Sequence, residues 1–158
     1  MPTLTYPTEV HTRLAALVGS WQGTSRTRFE PDAPIKEART SATIRAVADG
    51  YFFLHEYESS LDGETFSGVV LYGFDQKRGK VTATWGDSYH TGPAMMISEG
   101  DADPDAIVKV QGFYDFKGQT WGWRTVVRLD GDELVCEAFN IPPGGEPYLA
   151  IETRLRRV

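Results

Sequence analysis

Few residues in this chain are equipped for chemistry: three histidines and a single cysteine, Cys136, among 158 residues. Two short runs bring such residues close together. In YFFLHEYES, residues 51–59, Glu56 and Glu58 prefer water, so period-two alternation sets Tyr51, Phe53, His55 and Tyr57 on the inner face. An imidazole beside a phenol can hold the polar head of a ligand, pass a proton or ligate a metal. The competing assignment is a structural histidine bonded to Tyr57 or to the backbone. In TWGDSYH, residues 84–90, Asp87, Ser88 and His90 suggest a nucleophilic triad. Extended geometry separates them: Asp87 and Ser88 point to opposite faces, and Ser88 and His90 lie roughly 7 Å apart along one face. A triad needs hydrogen-bond reach at both links, and no Gly-x-Ser-x-Gly elbow occurs. Asp87 and Ser88 are therefore expected as hydrogen-bonders at a strand end or turn, with Trp85 facing inward alongside Asp87.

Metal chemistry has less support. DADPDA, residues 101–106, starts like a calcium loop, but Ala106 stands where the glycine belongs and Gly112 where the bidentate glutamate belongs. It reads as a hairpin loop. His11, His55 and His90 are far apart in sequence, and a lone cysteine supports neither a Cys-cluster site nor an intrachain disulfide. No metal site is expected.

The elements that must position these residues are mostly strands. One helix is expected over about residues 8–18 in PTEVHTRLAALVG: Thr8 caps it, Val10, Leu14, Leu17 and Val18 recur at helical spacing, and Gly19 ends it. From about residue 20 the chain alternates with period two, broken by turns such as Asp62-Gly63 and Lys117-Gly118. About ten strands follow, in a single domain spanning 1–158. At this length a domain buries roughly 70% of its unfolded surface, enough for one core. In SWQGTSRTRF the polar set Gln22, Thr24, Arg26 and Arg28 faces out, leaving Trp21, Gly23, Ser25, Thr27 and Phe29 inside. That inner face is small in its middle and leaves room, where a densely packed interior would carry Val, Ile and Leu. A sandwich is the rival architecture, but an up-and-down barrel removes every edge strand, and the helix can plug one end.

The formal net charge of −6 and pI near 5.0 disfavour a nucleic-acid partner. The basic end RLRR, Arg154–Arg157, reads as the wet face of a last strand, with a local anion site as the alternative. No run of about 18 apolar residues and no signal-type apolar region occurs, so no membrane partner and a cytoplasmic location are expected.

Gly19-Ser20-Trp21, directly after the helix, resembles the Gly-x-Trp opening of lipocalin and calycin barrels, where the tryptophan closes the floor and an arginine from a late strand covers it. LVGSWQG, HEYESSLDGETFSG, GFD, TWGDS and SEG, in that order from about Leu14 to the end, resemble the family called domain of unknown function 1579. The resemblance implies an all-β, about ten-stranded antiparallel calycin-like barrel, and no established activity. Phe74 stands where the family pattern suggests tyrosine, and SYHTGPAMM is bulkier than its usual Gly-rich counterpart. Arg154 or Arg156 would be the covering arginine, although alternation with Leu149, Ile151 and Leu155 inside puts both outside unless the strand bulges. Some related barrels resemble nitric-oxide-binding heme proteins with a late-strand histidine. No histidine follows His90, so neither heme nor any other cofactor is expected.

Together these features describe a non-enzymatic barrel binding a small apolar or aromatic molecule with a polar end. Trp21, His55, Tyr57, Tyr72, Trp85, Asp87 and Trp123 are its expected ligand-binding residues, and Tyr114, Trp121 and Phe139 are further inward candidates. One alternative is an enzyme with His55 as general acid or base and Tyr57 or Asp87 as its partner. Another is a structural module that forms a homodimer through a sheet face.

Overall fold

Alternation of inward and outward side chains runs through ten strands, each antiparallel to its neighbours in sequence, with β1 pairing to β10 to close the barrel. The computed structural model describes residues 4–158. The order is α1 (Glu9–Ala15), β1 (Gly19–Thr27), β2 (Lys36–Val47), a 3-10 turn (Ala48–Gly50), β3 (Phe52–Leu61), β4 (Glu64–Asp75), β5 (Lys80–Asp87), β6 (Met96–Asp101), β7 (Val108–Phe116), β8 (Gln119–Asp130), β9 (Glu133–Ile141) and β10 (Tyr148–Arg157). No helix among the described residues is long and apolar enough to cross a membrane.

The helix starts as expected and stops sooner. Thr8 accepts from the His11 backbone N–H, and the His11 ring reaches back to the Thr8 N–H. After Ala15 the chain tightens: Leu17 and Val18 donate to the carbonyls of Leu14 and Ala15, three residues back. Gly19 then opens β1 with φ at 149°, a conformation for which glycine is suited. The tightened turn lays Leu14 and Leu17, both fully buried, against Trp21, Ile44, Phe53 and Leu155, forming a floor at one end of the barrel.

The arginine over that floor is Arg157, not Arg154 or Arg156. Its guanidinium lies 4.2 Å from the Trp21 ring centre and donates to the carbonyls of Val18 and Ala16 at 2.5 and 2.7 Å. Those carbonyls lie just past the helix, where backbone acceptors lack intrahelical donors. Trp21 Nε1 donates in turn to Leu17 O at 2.9 Å. No bulge is needed, because Arg157 is two residues from the inward Leu155 and shares its phase. Arg154 and Arg156 face outward to Glu133, with Glu152 also beside Arg154, so the basic end is internally paired.

Four inward assignments are corrected. Phe29 lies past the end of β1, which stops at Thr27, and is exposed. Tyr51 follows the 3-10 turn instead of lying on β3, is exposed, and stacks on Tyr6 at 4.1 Å. Leu149 faces outward because the β9–β10 register slips between Leu149 and Ile151, a bulge that reverses the phase before it. Phe139 pairs with Leu149 and alternates with the buried Asn140, so it also faces outward. The DADPDA segment is a loop between β6 and β7. The Asp103 carboxylate accepts the N–H groups of Asp105 and Ala106, and Arg13 of the helix clamps the carbonyls of Asp103 and Ala106.

Arg157→Ala should lower the unfolding free energy by about 1–2 kcal/mol, the size of a partly desolvated cation–π contact. Arg154→Ala should cost only about 0–1 kcal/mol, as surface ion pairs do. Urea unfolding of both variants checks this, and equal losses would deny Arg157 its special place.

Candidate functional site

Above the floor the inward residues do not meet in the middle. They enclose a chamber of ≈ 130 Å³. Strand chemistry divides its wall into two halves. On one side Trp85 of β5 and Trp123 of β8 stack with ring centres 5.7 Å apart and planes within 12°, beside Tyr57 and Phe66. On the other side the small residues of β10, β1, β2 and β3 bring hydroxyls together. Ser25 Oγ lies 2.7 Å from both Thr153 Oγ1 and Thr40 Oγ1, and Thr40 Oγ1 lies 2.7 Å from Ser59 Oγ. The result is a continuous chain, Thr153–Ser25–Thr40–Ser59, in which each hydroxyl has at least one partner.

His55 and Tyr72 sit deeper, with His55 Nδ1 2.9 Å from the Tyr72 hydroxyl. Burial pushes the His55 pKa down to about 4 and raises that of Tyr72 well above its ordinary value, so both are neutral at pH 7. His55 therefore has Tyr72 as its hydrogen-bond partner, in place of the Tyr57 or Asp87 expected for acid–base work. Cys136 also lines the chamber, and burial pushes its thiol up to about 12; it stays protonated and a poor nucleophile.

Tyr57 and Asp87 bond to each other across an intervening strand, and glycine makes this feasible. Tyr57 of β3, Gly68 of β4 and Asp87 of β5 stand in register. A Cβ at Gly68 would collide with the Tyr57 ring and with Asp87. Without one, the phenol crosses β4 and donates to Asp87 Oδ2 at 2.8 Å, while Trp85 Nε1 donates to the Tyr57 oxygen at 2.7 Å. Burial and then the charge of Asp87 raise the Tyr57 pKa, which keeps it a donor. Burial alone would raise Asp87 too, but the hydrogen bonds and charge of His90, with the Tyr57 bond, outweigh it and hold the carboxyl below its ordinary value.

Asp87 and Ser88 are the strand-end hydrogen-bonders expected, but the turn also brings His90 onto Asp87, which extended geometry does not. β5 ends at Asp87, and the following residues turn. Asp87 Oδ1 accepts from the backbone N–H groups of Tyr89 and His90, and Asp87 N–H donates to Thr91 Oγ1. The turn folds His90 back until its Nδ1 is 2.6 Å from Asp87 Oδ2. Ser88 stays apart, bonded to the backbone of Ser67, so the grouping is a dyad without a nucleophile. Phe29, Phe66, Trp85 and Tyr89 surround the His90 ring, and its Nε2 is buried without a partner. This cluster closes one side of the barrel mouth, opposite the floor. The rest of the rim is tied by Tyr114 to Asn140, Asn140 to Tyr148, and Tyr148 to the Phe29 carbonyl.

Of the seven expected site residues, His55, Tyr57, Tyr72, Trp85 and Trp123 line the chamber. Trp21 belongs to the floor, and Asp87 stands behind the Tyr57 hydroxyl. Tyr114 and Trp121 pair across β7 and β8 toward the rim. Sequence reasoning missed His90 and the hydroxyl chain. The small polar face of β1 was the available signal for the chain, but its partners on β2, β3 and β10 emerge only with the register. Among the described residues, no group of three or more His, Cys, Asp or Glu side chains is placed to hold a metal ion.

The sequence profile of a family described as "Protein of unknown function (DUF1579)" matches residues 6–157. The crystal structure of Rv2717c from M. tuberculosis is similar to this chain with a TM-score of 0.61 and 15% identity, covering 96% of this chain and 98% of that one. At that identity the likeness bears on fold alone. No curated protein matches the chain.

The His55 environment has a pH signature. The unfolded chain binds this proton near pH 6.5 and the folded chain only near 4, so stability is complete above about pH 6.5 and falls as pH drops toward 4. The loss attributable to His55 should reach about 3 kcal/mol. Asp87, whose folded pKa is lowered, adds a loss only as pH falls through 3.8 and below. Urea unfolding at pH 7.5, 5.5 and 4.5 should show a steep decline in the wild type and a shallow one in His55→Gln; parallel declines would contradict the assignment.

Proposed function

This chain belongs to the DUF1579 family, a premise that brings a barrel and no assigned chemistry, and we propose that it is a non-enzymatic carrier or sensor of a small ring-bearing molecule. The observation that carries this reading is the unfilled chamber between a stacked tryptophan pair and a wall of hydroxyls. A solid core would place branched aliphatic residues where Ser25, Thr40 and Ser59 stand, because buried hydroxyls contribute little packing. The chamber is of the same order as the roughly 150 Å³ engineered cavity that takes up benzene. Aromatic faces for contact and a few polar groups for orientation are the usual makeup of a ligand site. His55, Tyr57, Tyr72, Trp85 and Trp123 are the contacts we assign, with Asp87 holding Tyr57 in place.

Calorimetric titration with 4-methylphenol tests the reading. A ligand of this size should bind with a dissociation constant of about 0.1–1 mM, given typical limits on energy per atom. At tenfold excess over that constant it should stabilise the fold by about 1.4 kcal/mol. Ala138→Phe, which puts a ring into the lumen, should abolish both effects while the protein stays folded. Unchanged binding in that variant would place the site elsewhere.

A further inference from the structure

We propose that the chamber selects uncharged ligands bearing a hydroxyl, which is read by the Thr153–Ser25–Thr40–Ser59 chain; this deepens, and rests on, the binding reading above. The first ground is the charge of the wall. None of the residues lining the chamber is Lys, Arg, Asp or Glu, and its one imidazole, His55, is neutral at pH 7. A carboxylate ligand would be buried without a counter-ion, which is strongly unfavourable. Asp87, ionised and bonded to the chamber-lining Tyr57, adds repulsion. An organic cation fares no better. Asp87 already accepts from the Tyr57 hydroxyl, the His90 ring and two backbone N–H groups, and no other carboxylate faces the lumen.

The second ground is a proton count. Four hydroxyls bring four protons, and three hydrogen bonds link them, so one proton is left over. With every bond running from Thr153 toward Ser59, the spare proton is on Ser59; with every bond reversed, it is on Thr153. Each end can thus donate in one arrangement and accept in the other. A ligand hydroxyl, which also does both, fits either polarity. A bare hydrocarbon satisfies neither, and an anion uses one donor and leaves its charge unpaired. The opposite wall, Trp85 stacked on Trp123, supplies the ring contact. The ligand class is therefore a neutral phenol or ring alcohol.

The test compares four para-substituted or parent methylbenzenes by calorimetry at pH 7.5: 4-methylphenol, toluene, 4-methylbenzoate and 4-methylbenzylamine. A merely apolar cavity prefers toluene, since the phenol must shed water from its hydroxyl. The wild type should bind 4-methylphenol at least as tightly as toluene, and both ions at least a hundredfold more weakly. 4-Methylbenzoate should gain affinity at pH 5, where more of it is the neutral acid. In Thr40→Val/Ser59→Ala, which breaks the chain at its centre and one end, toluene should bind at least as tightly as to the wild type, showing an intact chamber, and should outbind the phenol by tenfold or more. Either ion binding within threefold of the phenol, or an unchanged phenol-to-toluene ratio in the variant, would overturn the inference while leaving the binding site standing. If the folded wild type takes up none of the four, the binding reading falls and this inference falls with it.

Discussion

Pairing of β1 with β10, from Trp21 opposite Arg157 to Thr27 opposite Ile151, removes the last free strand edge and sets the circumference of the lumen. Everything inside depends on that closure. A ten-stranded ring is wide enough that Gly, Ser, Thr and Ala side chains along β1 and β2 cannot reach the opposite wall. The same pairing carries Arg157 onto Trp21, so the seam that closes the cylinder also completes its floor. Helix α1, too short to be stable alone, is held by burying its Leu14, together with Leu17 of the turn that follows, against that floor.

Within the closed ring, polar groups are arranged by reach. Small hydroxyls stay near their own strands and link edge to edge, giving a chain around one side of the wall. Larger groups reach further: Tyr57 spans β4 over Gly68 to meet Asp87, and Asp87 draws His90 back over the mouth. Both devices give buried polar atoms partners within the protein, and the residues lining the lumen are uncharged. His90 Nε2 and Trp121 Nε1 are the buried exceptions among the described residues, and both belong to the segments nearest the mouth.

Much of the architecture was legible in the chain. Alternation and turn residues marked the strands, and the unusually small inner face of β1 indicated a hollow interior. What escaped depended on phase or on register. Both faces of β9 carry apolar residues, so hydrophobicity alone does not orient Phe139; Glu137, two residues earlier and on the same side, marks the outer face. Leu149 was misplaced because nothing in YLAIET announces a bulge. The parity that places Arg157 over Trp21 is already present in its two-residue spacing from Leu155, whereas Arg154 and Arg156 have the opposite parity. The turn role of Asp87 is legible in TWGDSYH, but which side chain that turn folds back is not, and His90 is found only where the chain leaves extended geometry after Asp87. The chain through Ser25, Thr40, Ser59 and Thr153 joins residues distant in sequence, and no local pattern specifies which hydroxyls will face one another.

Xenon-pressurised crystals probe the hollow lumen without regard to ligand chemistry, since xenon enters apolar cavities. Xenon density is expected inside the barrel, against the faces of Trp85 and Trp123 and across from Thr40. A lumen that admits no xenon, with those two rings swung inward to touch the hydroxyl wall, would contradict it.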